Sequence, residues 1–150
     1  MKKYSFILII VFLLSFGVLM FFQKKLSVSH LFIQGTNNPI EVYVAKSMPQ
    51  IYKGLGGKKS LDKDGMLFVF NKKDKHGIVM RDMHFAIDII WLDHGEVIDI
   101  AKNIQPEPNV LPQDLKKYFP RNEVNLVLEL PAGKADQYGI KIGTKIDLVK

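Results

Sequence analysis

Two apolar runs in this chain carry acids where acids are costly. In "MRDMHFAIDIIWLDHGEV", Met80 to Val97, Asp88 falls between Ile87 and Ile89; in "LVLEL", Leu126 to Leu130, Glu129 falls between two leucines. Strand alternation puts Asp88 on the face shared by Ala86 and Ile90. A carboxylate there must be paired or hydrogen-bonded. Asp88 and Glu129 are therefore read as structural polar residues, each meeting Arg81, Lys58 or, for Asp88, a backbone donor. Arg81 and Asp82 lie where the run "GIVM" gives way to a turn, and supported loops are where binding groups concentrate. The expectation is that Asp88→Ala lowers stability strongly, whereas Arg81→Ala and Asp82→Ala spare it.

Other chemistries find less support. Histidines 30, 76, 84 and 94 form no H-x-x-x-H pair or close carboxylate triad, so no metal site is expected. Met80, Met83 and His84 offer soft ligands, but on a strand Met80 and His84 share a face while Met83 points away; core packing with one surface histidine is the expectation. There is no G-x-S-x-G elbow and no cysteine, so nucleophilic hydrolysis lacks its parts. "GLGGKKS", Gly54 to Ser60, lacks the spacing of a phosphate loop and reads as a turn. No catalytic residue and no cofactor is assigned.

The elements that must position these residues are short strands. "HLFIQ" and "PIEVYVAK" flank the turn signal at residues 35–38. Ser47 with Pro49 starts a short helix toward Tyr52. "GMLFVF", Gly65 to Phe70, is a buried strand followed by a charged loop, "NKKDK". Ile78 to Met80 and Ala86 to Leu92 follow as strands, and Asp93-His94-Gly95-Glu96 turns tightly into Val97 to Ala101. The proline-containing "NIQPEPNVLPQ" is a surface loop with a helical turn near Asp114 to Tyr118. "EVNLVLEL" is a strand, "PAGKADQYG" a helix with Pro131 at its start and Gly139 past its end, and "TKIDLV" a last strand. Seven or eight strands and three brief helices without βαβ alternation predict a mainly β, barrel-like and mostly antiparallel sheet.

The 150-residue chain carries a net charge of +6. Tyr4 to Phe22 is 19 residues without a charge, bracketed by Lys2, Lys3, Lys24 and Lys25. As a helix it is about 28 Å long, close to the roughly 30 Å bilayer core, and it lacks a good small-x-small cleavage site. It reads as an uncleaved anchor over residues 1–25, with the domain over 26–150. Without the four flanking lysines, 17 basic residues face 15 acidic ones. No basic stripe remains, so nucleic acid is not an expected partner. The short lysine-bearing tail stays in the cytoplasm if the domain is exported, which makes this a single-pass membrane protein with an extracytoplasmic domain.

"KGLGGKKSL" (Lys53 to Leu61), "GMLFVF", "IVMRDMHFAIDIIWLDHGEV" (Ile78 to Val97), "LVLELPAG" (Leu126 to Gly133) and "GIKIGTKI" (Gly139 to Ile146), in this order, resemble the DUF192 family of small bacterial and archaeal domains. The resemblance implies a compact β-rich domain, often exported, with no established enzymatic activity. It sets Lys58, Met80, Arg81, Asp82 and Asp88 on the family's most characteristic polar segments. Val79, Asp82, Met83 and Ala86 stand where the family has tryptophan, asparagine, threonine and proline. Two functions fit. One is a noncatalytic envelope module binding a protein or small polar ligand through Lys58, Arg81 and Asp82. The other is an enzyme using Asp82, Asp88 or Glu129 as acid and base, on a glycan or other polar substrate.

Overall fold

His94 and Gly95 both adopt left-handed backbone, with φ of 48° and 87°, the geometry that joins twisted antiparallel strands through two residues. The hairpin they close consists of β4 (Ile87–Asp93) and β5 (Glu96–Ile104), with Asp93 opposite Glu96. A β-carbon at Gly95 would also approach the Ile146 carbonyl to 2.9 Å, so this turn is held against the last strand of the fold.

The computed structural model describes residues 8–13 and 26–149. The other strands are β1 (Ser27–Ile33), β2 (Ile40–Ala45), β3 (Gly65–Asp74), β6 (Val124–Pro131) and β7 (Ile146–Val149), with helices α1 (Met48–Lys53) and α2 (Lys134–Gln137). They form one seven-stranded sheet in the order β5-β4-β6-β3-β2-β1-β7. All neighbours are antiparallel except β2 and β3. A parallel pair needs a crossover, and here α1 and the segment at 54–64 supply it. The sheet curls into a half-barrel whose ends touch: the Val97 amide donates to the Thr144 carbonyl at 2.9 Å and the Ile146 amide to that of Gly95 at 2.8 Å.

Each face of the sheet buries its own cluster. All seven strands contribute to the inner one, which includes Leu31, Val42, Leu67, Ile90, Leu128 and Ile146. The outer face carries Met66, Phe68, Ile89, Trp91 and Val127, covered by Leu55 and Met80 from the connections. Strand alternation sorts the two acids accordingly. Asp88 shares the inner face with Ile90, whereas Glu129, two residues from Val127, is on the outer one.

Several expected elements differ. Asn71 to Asp74 extend β3 instead of forming a loop, with Asp74 paired to Val124 beyond a register shift. Ile78 to Met80 is not a strand: only Ile78 bridges, to Tyr118, and the chain then runs irregularly to β4. Near Asp114 there is a turn closed by its amide on the Leu111 carbonyl, not a helical element. Pro131 ends β6, and α2 starts after Gly133, whose φ of 85° suits glycine. Of the expected anchor, residues 8–13 are helical and the remainder of Tyr4 to Phe22 lies outside the described residues. Among the described residues no helix is long and apolar enough to cross a membrane.

Candidate functional site

Glu129 stands in β6 with Met66 of β3 on one side and Ile89 of β4 on the other, both fully buried. β3 comes this close because residue 65 is glycine; a β-carbon there would overlap the Glu129 carbonyl. The Glu129 residue is 5% exposed, and among the described residues no donor or cation pairs with its side chain. Burial alone pushes its carboxyl from the ordinary 4.5 up to about 8.

This carboxyl lines a cavity of about 250 Å³ on the outer face. Apolar side chains form most of the wall, among them Met48, Ile51, Phe68, Phe70, Met83 and Ile87. Cationic and titratable groups come from the connections: Tyr52 and Lys53 from α1, His76 and Arg81 from the segment between β3 and β4. The Arg81 guanidinium carbon lies 3.8 Å from the Tyr52 ring centroid, and the His76 ring stacks on Phe70 with centroids 3.6 Å apart. The His76 carbonyl accepts the Trp91 indole N–H at 3.1 Å, fixing that segment on the sheet.

Local backbone chemistry places Arg81. Asp82 is left-handed, with φ of 53°, a conformation aspartate enters more readily than most residues. The Gly57 amide donates to the Asp82 carbonyl at 2.8 Å. A β-carbon at Gly56 would lie 2.9 Å from the Arg81 carbonyl and 3.1 Å from that of Lys53. The "GLGG" turn is thus the seat on which the Arg81 turn rests. Gly56→Ala is expected to force α1 and this turn apart, lowering stability by about 1–3 kcal/mol and changing the fluorescence of a ligand-free Tyr52→Trp reporter. Unchanged urea unfolding in the alanine variant would contradict the contact.

The residues singled out by sequence do not form one site. Arg81 reaches the cavity. Asp82, next to it, is exposed. Lys58 turns to another aromatic, its ammonium 5.0 Å from the Tyr43 centroid. Asp88, 1% exposed, is on the opposite face of the sheet. Its Oδ1 accepts the Asn103 amide at 2.9 Å and its Oδ2 the Ala135 amide at 3.0 Å. The first donor is in a β-bulge: Ile87 pairs Ile104 and Ile89 pairs Ala101, leaving Lys102 and Asn103 opposite Asp88 alone. The second is an otherwise orphaned amide in the first turn of α2. Neither Arg81 nor Lys58 forms an ion pair with Glu129 or Asp88 among the described residues; the donors to Asp88 are backbone amides, and Glu129 lacks the basic partner expected for it. Arg121 is paired instead with Asp99. Its guanidinium donates to Oδ1 at 2.8 Å and its amide to Oδ2 at 2.9 Å, holding the carboxyl below its usual range.

Sequence reasoning left Tyr52 and His76 out of the site. The crossover and the extension of β3 bring them to Glu129, and neither is visible in local periodicity. The available signal was Glu129 itself, an acid in a strand apolar on both faces.

Among curated proteins none matches the chain. A protein of unknown function from Novosphingobium aromaticivorans, known from its crystal structure, is 27% identical with a TM-score of 0.71, covering 83% of this chain and 88% of its own. A Sinorhizobium meliloti chain described as a proposed transcription regulator shares the fold, with a TM-score of 0.73 at 20% identity over 84% of this chain and 97% of its own. The family model described as "Uncharacterized ACR" matches residues 30–148, and the chain belongs to that family, DUF192.

Proposed function

We propose that the domain is a noncatalytic binding module whose ligand occupies the cavity at Glu129. One observation carries this reading: an acid, buried and unpaired, lines an apolar cavity large enough for a small molecule. Apolar cavities of about 150 Å³ already hold a benzene-sized guest, and ligand sites combine apolar walls with a few convergent polar groups. A carboxyl without a partner is a stability cost, and a ligand that hydrogen-bonds to it removes that cost. The two-carboxylate enzyme is less well supported. It needs both acids in one cleft, whereas Asp82 is exposed, Asp88 is hydrogen-bonded on the other face and, among the described residues, Glu129 is the one acid lining this cavity.

The test is a fragment titration of the full-length chain in phosphatidylcholine nanodiscs, read on ¹³C-methyl methionine resonances. Bound fragments are expected to shift Met48 and Met83. A broad fragment set that moves neither would sink the reading.

The location we propose is the one the apolar run implies, with Tyr4 to Phe22 as a retained anchor and the domain on the extracytoplasmic side of the envelope. The support is the length and flanking charge of the run. The chain is expected in the carbonate-resistant membrane fraction with its N-terminus intact. A soluble chain beginning near Ser29 would contradict retention.

A further inference from the structure

The cavity has an asymmetric charge pattern. Among the described residues its cationic side chains, Lys53 and Arg81, come from connections on the outer face of the sheet, and its acid, Glu129, from the sheet itself. Lys53 closes the last turn of α1. Arg81 is half-buried, its guanidinium carbon 3.8 Å from the Tyr52 ring centroid, and a guanidinium has N–H donors along its edges for a planar anion. The rest of the lining is mostly aromatic and aliphatic, with Phe68, Phe70 and Ile87 among it. A ligand matching this gradient has an anionic group for the cations, an apolar body, and an acceptor that reaches Glu129.

Building on the binding reading, we infer that the cavity selects a small amphipathic carboxylate, one ring in size, with its carboxylate at Arg81 and Lys53 and a neutral acceptor at Glu129. Charge at the outer end decides the class. An organic ammonium ion would bring its charge into a cavity already lined by Lys53 and Arg81. A neutral molecule of the same shape would leave the guanidinium without the charge-assisted bond that a carboxylate supplies. The volume of about 250 Å³ admits a substituted ring but not a long acyl chain. Burial pushes the Glu129 carboxyl up to about 8, which favours its protonated form, a hydrogen-bond donor that does not repel the incoming anion.

The acid also gives the site a pH signature. The other titratable or charged groups around the cavity are Tyr52, Lys53, His76 and Arg81. Of these and Glu129, it is Glu129 whose burial displaces its carboxyl upward, to about 8. Loss of its proton removes the donor and places a negative charge near a ligand acceptor.

Three molecules that share a ring and an ether acceptor separate the possibilities: 4-methoxybenzoate, 4-methoxybenzyl alcohol and 4-methoxybenzylamine. They are titrated into the full-length chain in phosphatidylcholine nanodiscs at pH 7, with the methyl shifts of Met48 and Met83 as readout. The carboxylate is expected to bind about five to ten times more tightly than the alcohol, the margin of a charged over a neutral hydrogen bond, and the amine most weakly. Arg81→Gln, which leaves Lys53, is expected to lower the carboxylate-to-alcohol ratio, and Arg81→Gln combined with Lys53→Gln to bring it near one. Carboxylate affinity is expected to fall above pH 8 in the parent and to stay level in Glu129→Gln, which keeps a donor without titrating. Tightest binding of the amine, or an Arg81→Gln ratio equal to the parent's, would overturn the inference while leaving the binding module intact. So would fragment hits at Met48 and Met83 with no response to the carboxylate. A fragment set with no hit at all would overturn both.

Discussion

Replacing Asp88 with alanine is expected to destabilise the domain by about 3–5 kcal/mol. The carboxylate is the acceptor for two amides that the fold leaves without other partners, those of Asn103 in the β5 bulge and Ala135 in the first turn of α2. Each buried donor left unsatisfied costs about 1–3 kcal/mol, and both losses come from one substitution, along with the anchoring of α2 to the sheet. Arg81→Ala is the comparison. Its ring contact with Tyr52 is at a half-exposed position, where such contacts contribute about 0.5–1 kcal/mol. Asp82→Ala is not the neutral control that the sequence suggested, because Asp82 is left-handed and alanine pays for that backbone while asparagine does not; Asp82→Asn is the fair substitution. Urea unfolding of these variants measures the difference. An Asp88→Ala protein as stable as the parent would remove the structural role assigned here.

Glu129→Gln is expected to act in the opposite direction, and its effect should grow with pH. A raised folded-state value favours the protonated form in the fold. Stability from this group is therefore fully present below the ordinary 4.5, declines as the unfolded chain ionises, and has reached its loss once pH passes about 8. At about 1.4 kcal/mol per pH unit, that interval corresponds to roughly 5 kcal/mol as an upper bound. Glutamine does not titrate, so the variant and the parent should differ little near pH 4, and the variant should be the more stable of the two by several kcal/mol at pH 9. A difference between the two that does not change with pH would mean that Glu129 ionises normally in the folded protein.

That a substitution at the proposed site should stabilise the protein fits a common feature of binding sites, where groups are held in positions that the fold alone would not favour. It also explains how two similar sequence features diverge. Asp88 and Glu129 each interrupt an apolar strand, and local alternation places each on a definite face. What alternation cannot show is which partner arrives from far along the chain. Asp88 receives an amide from the bulge 15 residues on and another 47 residues away. Glu129 receives none, because its neighbours Met66 and Ile89 are apolar.

The hairpin at His94 and Gly95 was legible because its determinants are within four residues. So was the start of α1, with Ser47 at the N-cap and Pro49 in the first turn. The parallel pairing of β2 with β3 was not legible. It depends on a crossover whose packing is tertiary, and that crossover brings Tyr52 over Arg81. Asn71 to Asp74 read as a solvated loop because they are charged, yet an exposed stretch can pair at one edge while its side chains remain in water. The helix expected from Pro131 starts three residues later, at Lys134, for a related reason: proline is also tolerated at a strand end, and the ladder with Ile87 claims it first.

The central claim, that Glu129 is an uncharged acid held in a ligand cavity, is tested most directly by titrating its side-chain carboxyl. Selective ¹³C labelling of glutamate, with Glu129→Gln to assign the resonance, follows this group alone in the full-length chain. The expected result is a midpoint near 8, displaced when a fragment that shifts Met48 and Met83 is bound. A midpoint near the ordinary 4.5, unmoved by any such fragment, would contradict the account.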